Sequence, residues 1–222
     1  MIYTPSAWPF LLLLALLLGV LVFIVEVRVL AYAYRKVGVR PRYVFALLVA
    51  SLLGSHINIP LYTVRVDRLM PPQAVTFYGW TLIVPQAIEQ HATVVAINVG
   101  GALIPLLLSV YLFFRLRMYG RMLLGTAIVA VVTHQLAQIV PGVGIAVPVF
   151  APPLIAATVG LILAWRRAPP VAYVAGCMGT LIGADLWNLP DVAAVGAPIV
   201  SIGGAGTFDG VFLTGIIAGL LA

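Results

Sequence analysis

The sequence predicts an all-α fold: a polytopic transmembrane helical bundle of about seven membrane segments, several of them broken by glycine and proline. Three observations predict it. The 222-residue chain is 63% hydrophobic and only 8% charged. Its mean hydropathy is +1.16. Apolar runs close to the ~20 residues that cross a bilayer recur along its whole length. No stretch has the composition of a soluble domain, a long linker or a low-complexity tract, so a single integral membrane domain over 1–222 is expected. The formal net charge of +6 lies in the loops, which reads as orientation and contact with membrane lipid, with no nucleic-acid partner. A lone cysteine, Cys177, excludes an intrachain disulfide framework.

The first segment, near 8–27, has no Lys or Arg before its apolar core, whereas Arg28, Arg35, Lys36, Arg40 and Arg42 follow it. That is the pattern of a retained anchor starting outside, not of a cleaved leader. Glu26 stands at its inner end beside Arg28. The second and third segments, near 43–64 and 91–114, are joined by the one sizeable connection, Met70 to Gln90. Pro71, Pro72 and Pro85 interrupt that connection, yet Val75 to Val84 is apolar and aromatic; it reads equally as a surface loop or as a re-entrant cap. Segments near 122–140, 151–165, 171–189 and 201–222 complete the set. Alternate threading puts loops 28–42, 115–121 and 166–170 on one side, with all basic residues except Arg65 and Arg68. By the positive-inside rule that side is cytoplasmic, giving N-terminus out and C-terminus in, in the cell inner (plasma) membrane.

The chain carries four breaks. Gly54-Ser55-His56-Ile57-Asn58-Ile59-Pro60 interrupts the second, and Asn98-Val99-Gly100-Gly101 with Pro105 the third. Val140-Pro141-Gly142 to Pro148 separates the fourth from the fifth, and the seventh opens on Gly203-Gly204-Ala205-Gly206-Thr207-Phe208-Asp209. Irregular backbone at membrane depth is tolerated only where protein or a water-lined cavity satisfies its amides, so the breaks predict one shared polar cavity in the outer half. His56, Asn58, Asn98 and His134 are candidate lining residues. The rival reading of the same breaks is close packing of small residues and proline kinks.

Asp185 and Asp209 are the principal candidates. An ionised side chain at bilayer depth costs roughly 2.5–3.5 kcal/mol on insertion scales and is by default a functional site with a partner. Asp185 lies about 14 residues from Val171, roughly 21 Å along a helix, and Asp209 about 8 residues from Ser201, roughly 12 Å. Both therefore fall in the outer half of a core about 30 Å thick, on segments joined by a short connection. Two carboxyls meeting there would share a proton, the acid–base arrangement of a carboxyl dyad. Ion or proton handling and helix capping by Asp209 beside Thr207 and Gly210 are the other readings. Gly203, Gly204, Gly206 and Thr207 are candidate substrate- or ion-binding positions. No His-x-x-x-His spacing, Walker loop, dinucleotide fingerprint or nucleophile elbow is present, so neither metal nor cofactor is expected.

Two resemblances follow from these runs. Ser51 to Leu61, Asn98 to Pro105, Val140 to Ile145, Gly179 to Leu186, Gly196 to Pro198 and Ser201 to Gly210 together resemble a prokaryotic membrane family known as a domain of unknown function. A more distant similarity is to the intramembrane aspartyl proteases of the presenilin and signal peptide peptidase type, which place one Asp on each of two membrane helices. Gly204-Ala205-Gly206 is similar to their Gly-x-Gly, although Thr207 and Phe208 stand between it and Asp209, and Ala184 precedes Asp185. The resemblance implies aspartyl-type intramembrane hydrolysis of single-span membrane proteins by Asp185 and Asp209. A cation- or proton-coupled transporter or channel is the alternative, and a non-catalytic membrane scaffold a third.

Overall fold

The computed structural model describes residues 8–69, 73–77, 80–84, 88–140, 144–191, 197–204 and 210–222, with side chains from 11–65, 92–140, 144–191, 197–204 and 210–222. Asp209, Gly206 and Thr207 lie outside the described residues. The chain is mostly helical but contains sheets, which corrects the all-α expectation.

Helix α1 (Trp8–Val37) turns through Gly38 into α2 (Pro41–Gly54). Gly38 has φ +107, a left-handed conformation that favours glycine at the tight turn. Proline at the start of α2 costs no hydrogen bond, because the first turn has no acceptor for its N–H. The remainder of the second apolar run is not helical: β1 (Asn58–Leu69) pairs antiparallel with β4 (Ile88–Asn98), from Asn58 opposite Asn98 to Leu69 opposite Ile88. The register shifts between Pro60 and Tyr62, at the one residue that has no N–H for the ladder. β-branched and aromatic residues such as Ile59, Tyr62, Thr63, Val64, Val94 and Val95 favour this conformation. A short apolar run reads alike as buried strand or buried helix, which is why the sequence reading missed it. The connection between β1 and β4 holds a hairpin of β2 (Gln73–Phe77) and β3 (Trp80–Val84).

A π-helical turn, Val99–Leu103, leads from β4 into α3 (Ile104–Leu116). Helix α4 (Tyr119–Leu136) is followed by the small hairpin β5 (Gln138–Val140) and β6 (Gly144–Ala146). Helices α5 (Ala151–Ala164) and α6 (Ala168–Thr180) form a hairpin about a 3-10 turn at Trp165–Arg167. At that hairpin a Cβ on Gly160 would lie 2.6 Å from the Cβ of Ala172, so the two backbones touch. α6 continues as a π-helical turn, Leu181–Leu186. Strand β7 (Ile199–Ile202) joins β4 in parallel, giving the sheet order β1-β4-β7, and α7 (Gly210–Leu221) ends the chain.

Among the described residues, three helical stretches are long and apolar enough to cross a membrane: Leu11–Val37, Val99–Leu116 and Ala151–Asp191. The third is the α5–α6 hairpin and its continuation, so its two legs run in opposite directions. α1 exposes Leu11 to Val25 on every side, with Leu12 at 68%. A surface of that kind belongs in lipid and marks a membrane protein. The interior is packed around Tyr34, Leu112, Met122, Tyr173 and Ile216, all fully buried. The basic turns collect at one end of the bundle. Lys36 Nζ donates to Leu220 O at 2.8 Å, Arg115 Nη1 donates to Gly38 O at 3.2 Å, and Gly219 lies against Val37 and Pro169.

Candidate functional site

The three strands of the mixed sheet meet α3 and α6 at the places where both helices are π-wound. Asn98, the last residue of β4, caps the π turn: its Oδ1 accepts the Gly101 N–H at 2.7 Å. Its Nδ2 donates to Ser55 O at 2.7 Å and to Asn58 Oδ1 at 3.1 Å. Asn58 Oδ1 also accepts the Ser201 hydroxyl at 2.7 Å. One buried side chain thus ties the C-terminal end of α2, the start of β1 and the start of α3 together, and Asn58 extends the network to β7. These bonds satisfy backbone groups that the breaks in the second and third segments leave open, as hydrocarbon surroundings demand.

β7 is held from both directions. Val94 N donates to Pro198 O and Thr93 Oγ1 to Ala197 O, each at 2.9 Å. Just past the strand, Gly203 and Gly204 have φ +85 and +86. This turn requires glycine twice over: a Cβ on Gly203 would also stand 2.5 Å from the Cβ of Ala102 in the π turn. The Gly203 N–H points at α6 and donates to Asp185 Oδ2 at 2.8 Å. Asp185 itself sits in the π turn Leu181–Leu186, where Trp187 N–H reaches back five residues to Ile182 O at 2.9 Å. Such turns are frequent at functional sites because they re-aim one side chain while keeping the helix. Here α6 comes against α4 with Gly183 touching the Ala130 backbone. Asn188 Nδ2 closes the end of the turn on Gly183 O at 3.1 Å and Ala184 O at 2.7 Å.

Asn58, Asn98, Gly203, Gly204 and Asp185 are therefore drawn into one connected region. Two other sequence candidates stay outside it. His56 is exposed, and its Nδ1 lies 3.1 Å from Leu52 O at the end of α2, where the carbonyl makes that nitrogen the donor. His134 is exposed at the end of α4 and packs edge-on against Trp187, ring centroids 5.3 Å apart. Sequence reasoning passed over Ser201 and Thr93 as network members. The weak signal for both was a hydroxyl within a short β-branched run, the side chain of choice for tying a strand to its neighbour.

A cavity of about 200 Å³ opens between α1 and α2 and reaches Gly100 and Gly101. Its lining is apolar except for Glu26, Ser51 and Ser55. Among the described residues no group of three His, Cys, Asp or Glu side chains is placed to hold a metal ion.

Asn98 carries the heaviest structural duty in this region. Asn98→Ala leaves the Gly101 N–H and the Ser55 carbonyl without partners in a buried setting, at about 1–3 kcal/mol each. The expected loss is about 2–6 kcal/mol, read as a lower unfolding midpoint of the purified protein in detergent.

A helical bundle with an outward apolar surface and an inward network of carboxylate, carboxamides and glycine turns defines a membrane-embedded protein with an internal polar site. Residues 52–221 match the model of the family described as "Protein of unknown function (DUF1614)", and the chain belongs to that family. No curated protein and no solved structure matches the chain.

Proposed function

We propose that the chain crosses the plasma membrane seven times as one membrane-embedded domain, N-terminus out and C-terminus in, and hydrolyses peptide bonds within the membrane through Asp185 and Asp209. The topology is supported by the clustering of the basic turns at one end of the bundle, which the positive-inside rule puts in the cytoplasm. The function is carried by one observation: Asp185 Oδ2 accepts the Gly203 N–H at 2.8 Å. That bond ties the carboxyl of α6 to the glycine turn from which the chain runs on to Asp209.

One carboxylate takes a proton from water as general base while the protonated partner polarises the scissile carbonyl. β7 supplies the second ingredient. It is the last strand of the sheet, paired only with β4 among the described residues. Its free edge offers backbone donors and acceptors to a substrate segment opened from helix into strand. A single-span membrane protein is the substrate class that reaches such an edge laterally.

The test is cleavage of single-span substrates by the purified protein in liposomes. Truncated product of the wild-type protein is the expected result. Cation uptake or proton flux without cleavage assigns the aspartates to transport, and neither activity in a folded preparation leaves them a structural role.

A further inference from the structure

The basic end of the bundle is not evenly charged. Arg121, Arg166 and Arg167 surround a single cavity of about 330 Å³, together with Leu163, Ala164 and Trp165. The packing above it brings them together. A Cβ on Gly125 would lie 3.1 Å from the Cβ of Ala175 and 3.6 Å from Leu163 Cδ1, so α4 runs close against both legs of the α5–α6 hairpin. Arg121 stands one turn before Gly125 on the same face of α4, and that turn puts it beside the 3-10 turn carrying Arg166 and Arg167.

None of the three guanidinium groups makes a hydrogen bond or ion pair with a described residue. Three like charges around one dish repel each other and call for an anion between them. The first turn of α4 adds to the field: it contains no acidic residue, and its N-cap Met118 has no side chain that accepts an amide proton. Guanidinium groups match phosphate oxygens in bidentate pairs, so the anion fitted best is a phosphate. The apolar half of the lining says where that phosphate comes from. Trp165 is 79% exposed, and with Leu163 it borders the three arginines. A half-apolar, half-cationic rim at the end of a membrane helix matches a headgroup continued by glycerol and acyl chains.

We propose that Arg121, Arg166 and Arg167 form a binding site for the phosphate of one anionic phospholipid molecule. The site lies at the opposite end of the bundle from Asp185 and does not depend on what the aspartates do. The lipid would clamp α4 to the α5–α6 hairpin and so hold in place the helix pair on which the Asp185 turn is built.

The experiment is native mass spectrometry of the full chain in a neutral detergent, titrated with phosphatidylglycerol or phosphatidylcholine. The expected result is one phosphatidylglycerol retained in preference to phosphatidylcholine. R166Q and R167Q each weaken retention about fivefold, and R121Q/R166Q/R167Q on the order of a hundredfold. R35Q/R40Q/R42Q removes the same charge from the same end of the bundle and should change retention less than about twofold, since screened charges outside the site contribute little. The two single variants give the answer even if the triple variant fails to fold. Equal losses in the R35Q/R40Q/R42Q control, or equal retention of the two lipids, would overturn the site in favour of diffuse attraction. Displacement of the lipid by millimolar inorganic phosphate would overturn the lipid reading in favour of a free anion.

Discussion

If the proposed hydrolysis holds, Asp185→Asn and Asp209→Asn are each expected to lower intramembrane cleavage by about a thousandfold, within the range over which a positioned acid or base acts. The Asp185 variants separate chemistry from structure. In Asp185→Asn the carboxamide oxygen still accepts the Gly203 N–H, so the 2.8 Å tether between α6 and the glycine turn is kept. Asp185→Ala removes the acceptor and leaves that N–H unpaired, at about 1–3 kcal/mol. A catalytic Asp185 therefore gives two inactive variants of unequal stability. A purely structural Asp185 gives an active Asn variant and an unstable Ala variant. Product formation from a single-span substrate, measured beside the unfolding midpoint of each variant, distinguishes the two. Retained cleavage in Asp185→Asn or Asp209→Asn removes that residue from the mechanism. Double substitution should cost little more than either single one, because residues acting on one transition state are not additive.

Gly183→Ala is expected to be among the most damaging small substitutions in the described part of the bundle. A Cβ there would fall on the Ala130 carbonyl oxygen of α4, a backbone atom that no rotamer change can move aside. Overpacked sites cost typically 1–3 kcal/mol and occasionally more. With backbone on the receiving side, about 3 kcal/mol is the expected loss. The consequence for function exceeds the loss of stability. Pushing α6 away from α4 shifts the π turn, and Asp185 lies two residues beyond the collision. Gly120→Ala is the matched control. A Cβ on Gly120 meets nothing within 4 Å, and the residue lies inside α4. That change should be neutral or stabilising by up to about 1 kcal/mol. Unfolding midpoints and cleavage rates of the two variants should therefore move in different directions. Equal behaviour would mean that the α4–α6 contact is not tight.

The two effects meet at the same few residues because the site is assembled from breaks in regular structure. Asn98 ends a strand and begins a helix, Gly203 ends a strand and turns towards α6, and Asp185 occupies a turn wound wider than its helix. Each break frees backbone groups, and nearby or distant side chains meet them: Asn98 the Gly101 N–H, Asn188 the Gly183 and Ala184 carbonyls, and Asp185 the Gly203 N–H. Removing one partner therefore strands a polar group in a buried place.

The class of the molecule was legible in the amino-acid order alone. Hydropathy requires only a count of apolar residues over some twenty positions, and bilayer thickness does the rest. The basic turns and the broken places at Gly54 to Pro60, Asn98 to Pro105 and Gly203-Gly204 followed in the same way. Each is a local statement about what a residue costs in lipid. What became of the broken places was not legible. Asn58 to Leu69 and Ile88 to Asn98 pair over their whole length, and β7 joins them from more than a hundred residues further along the chain. Strand pairing is satisfied by a partner that local periodicity does not name. The π turns were hidden for the same reason. Leu181 to Leu186 would read as ordinary helix, and the wider winding accompanies the close approach of Gly183 to Ala130 and the hydrogen bond from Gly203 to Asp185. The sequence by itself determined that polar groups would stand within apolar segments; only the tertiary structure decided which distant segment would meet Asn58, Asn98 and Gly203, because packing and not local order fixes those partners.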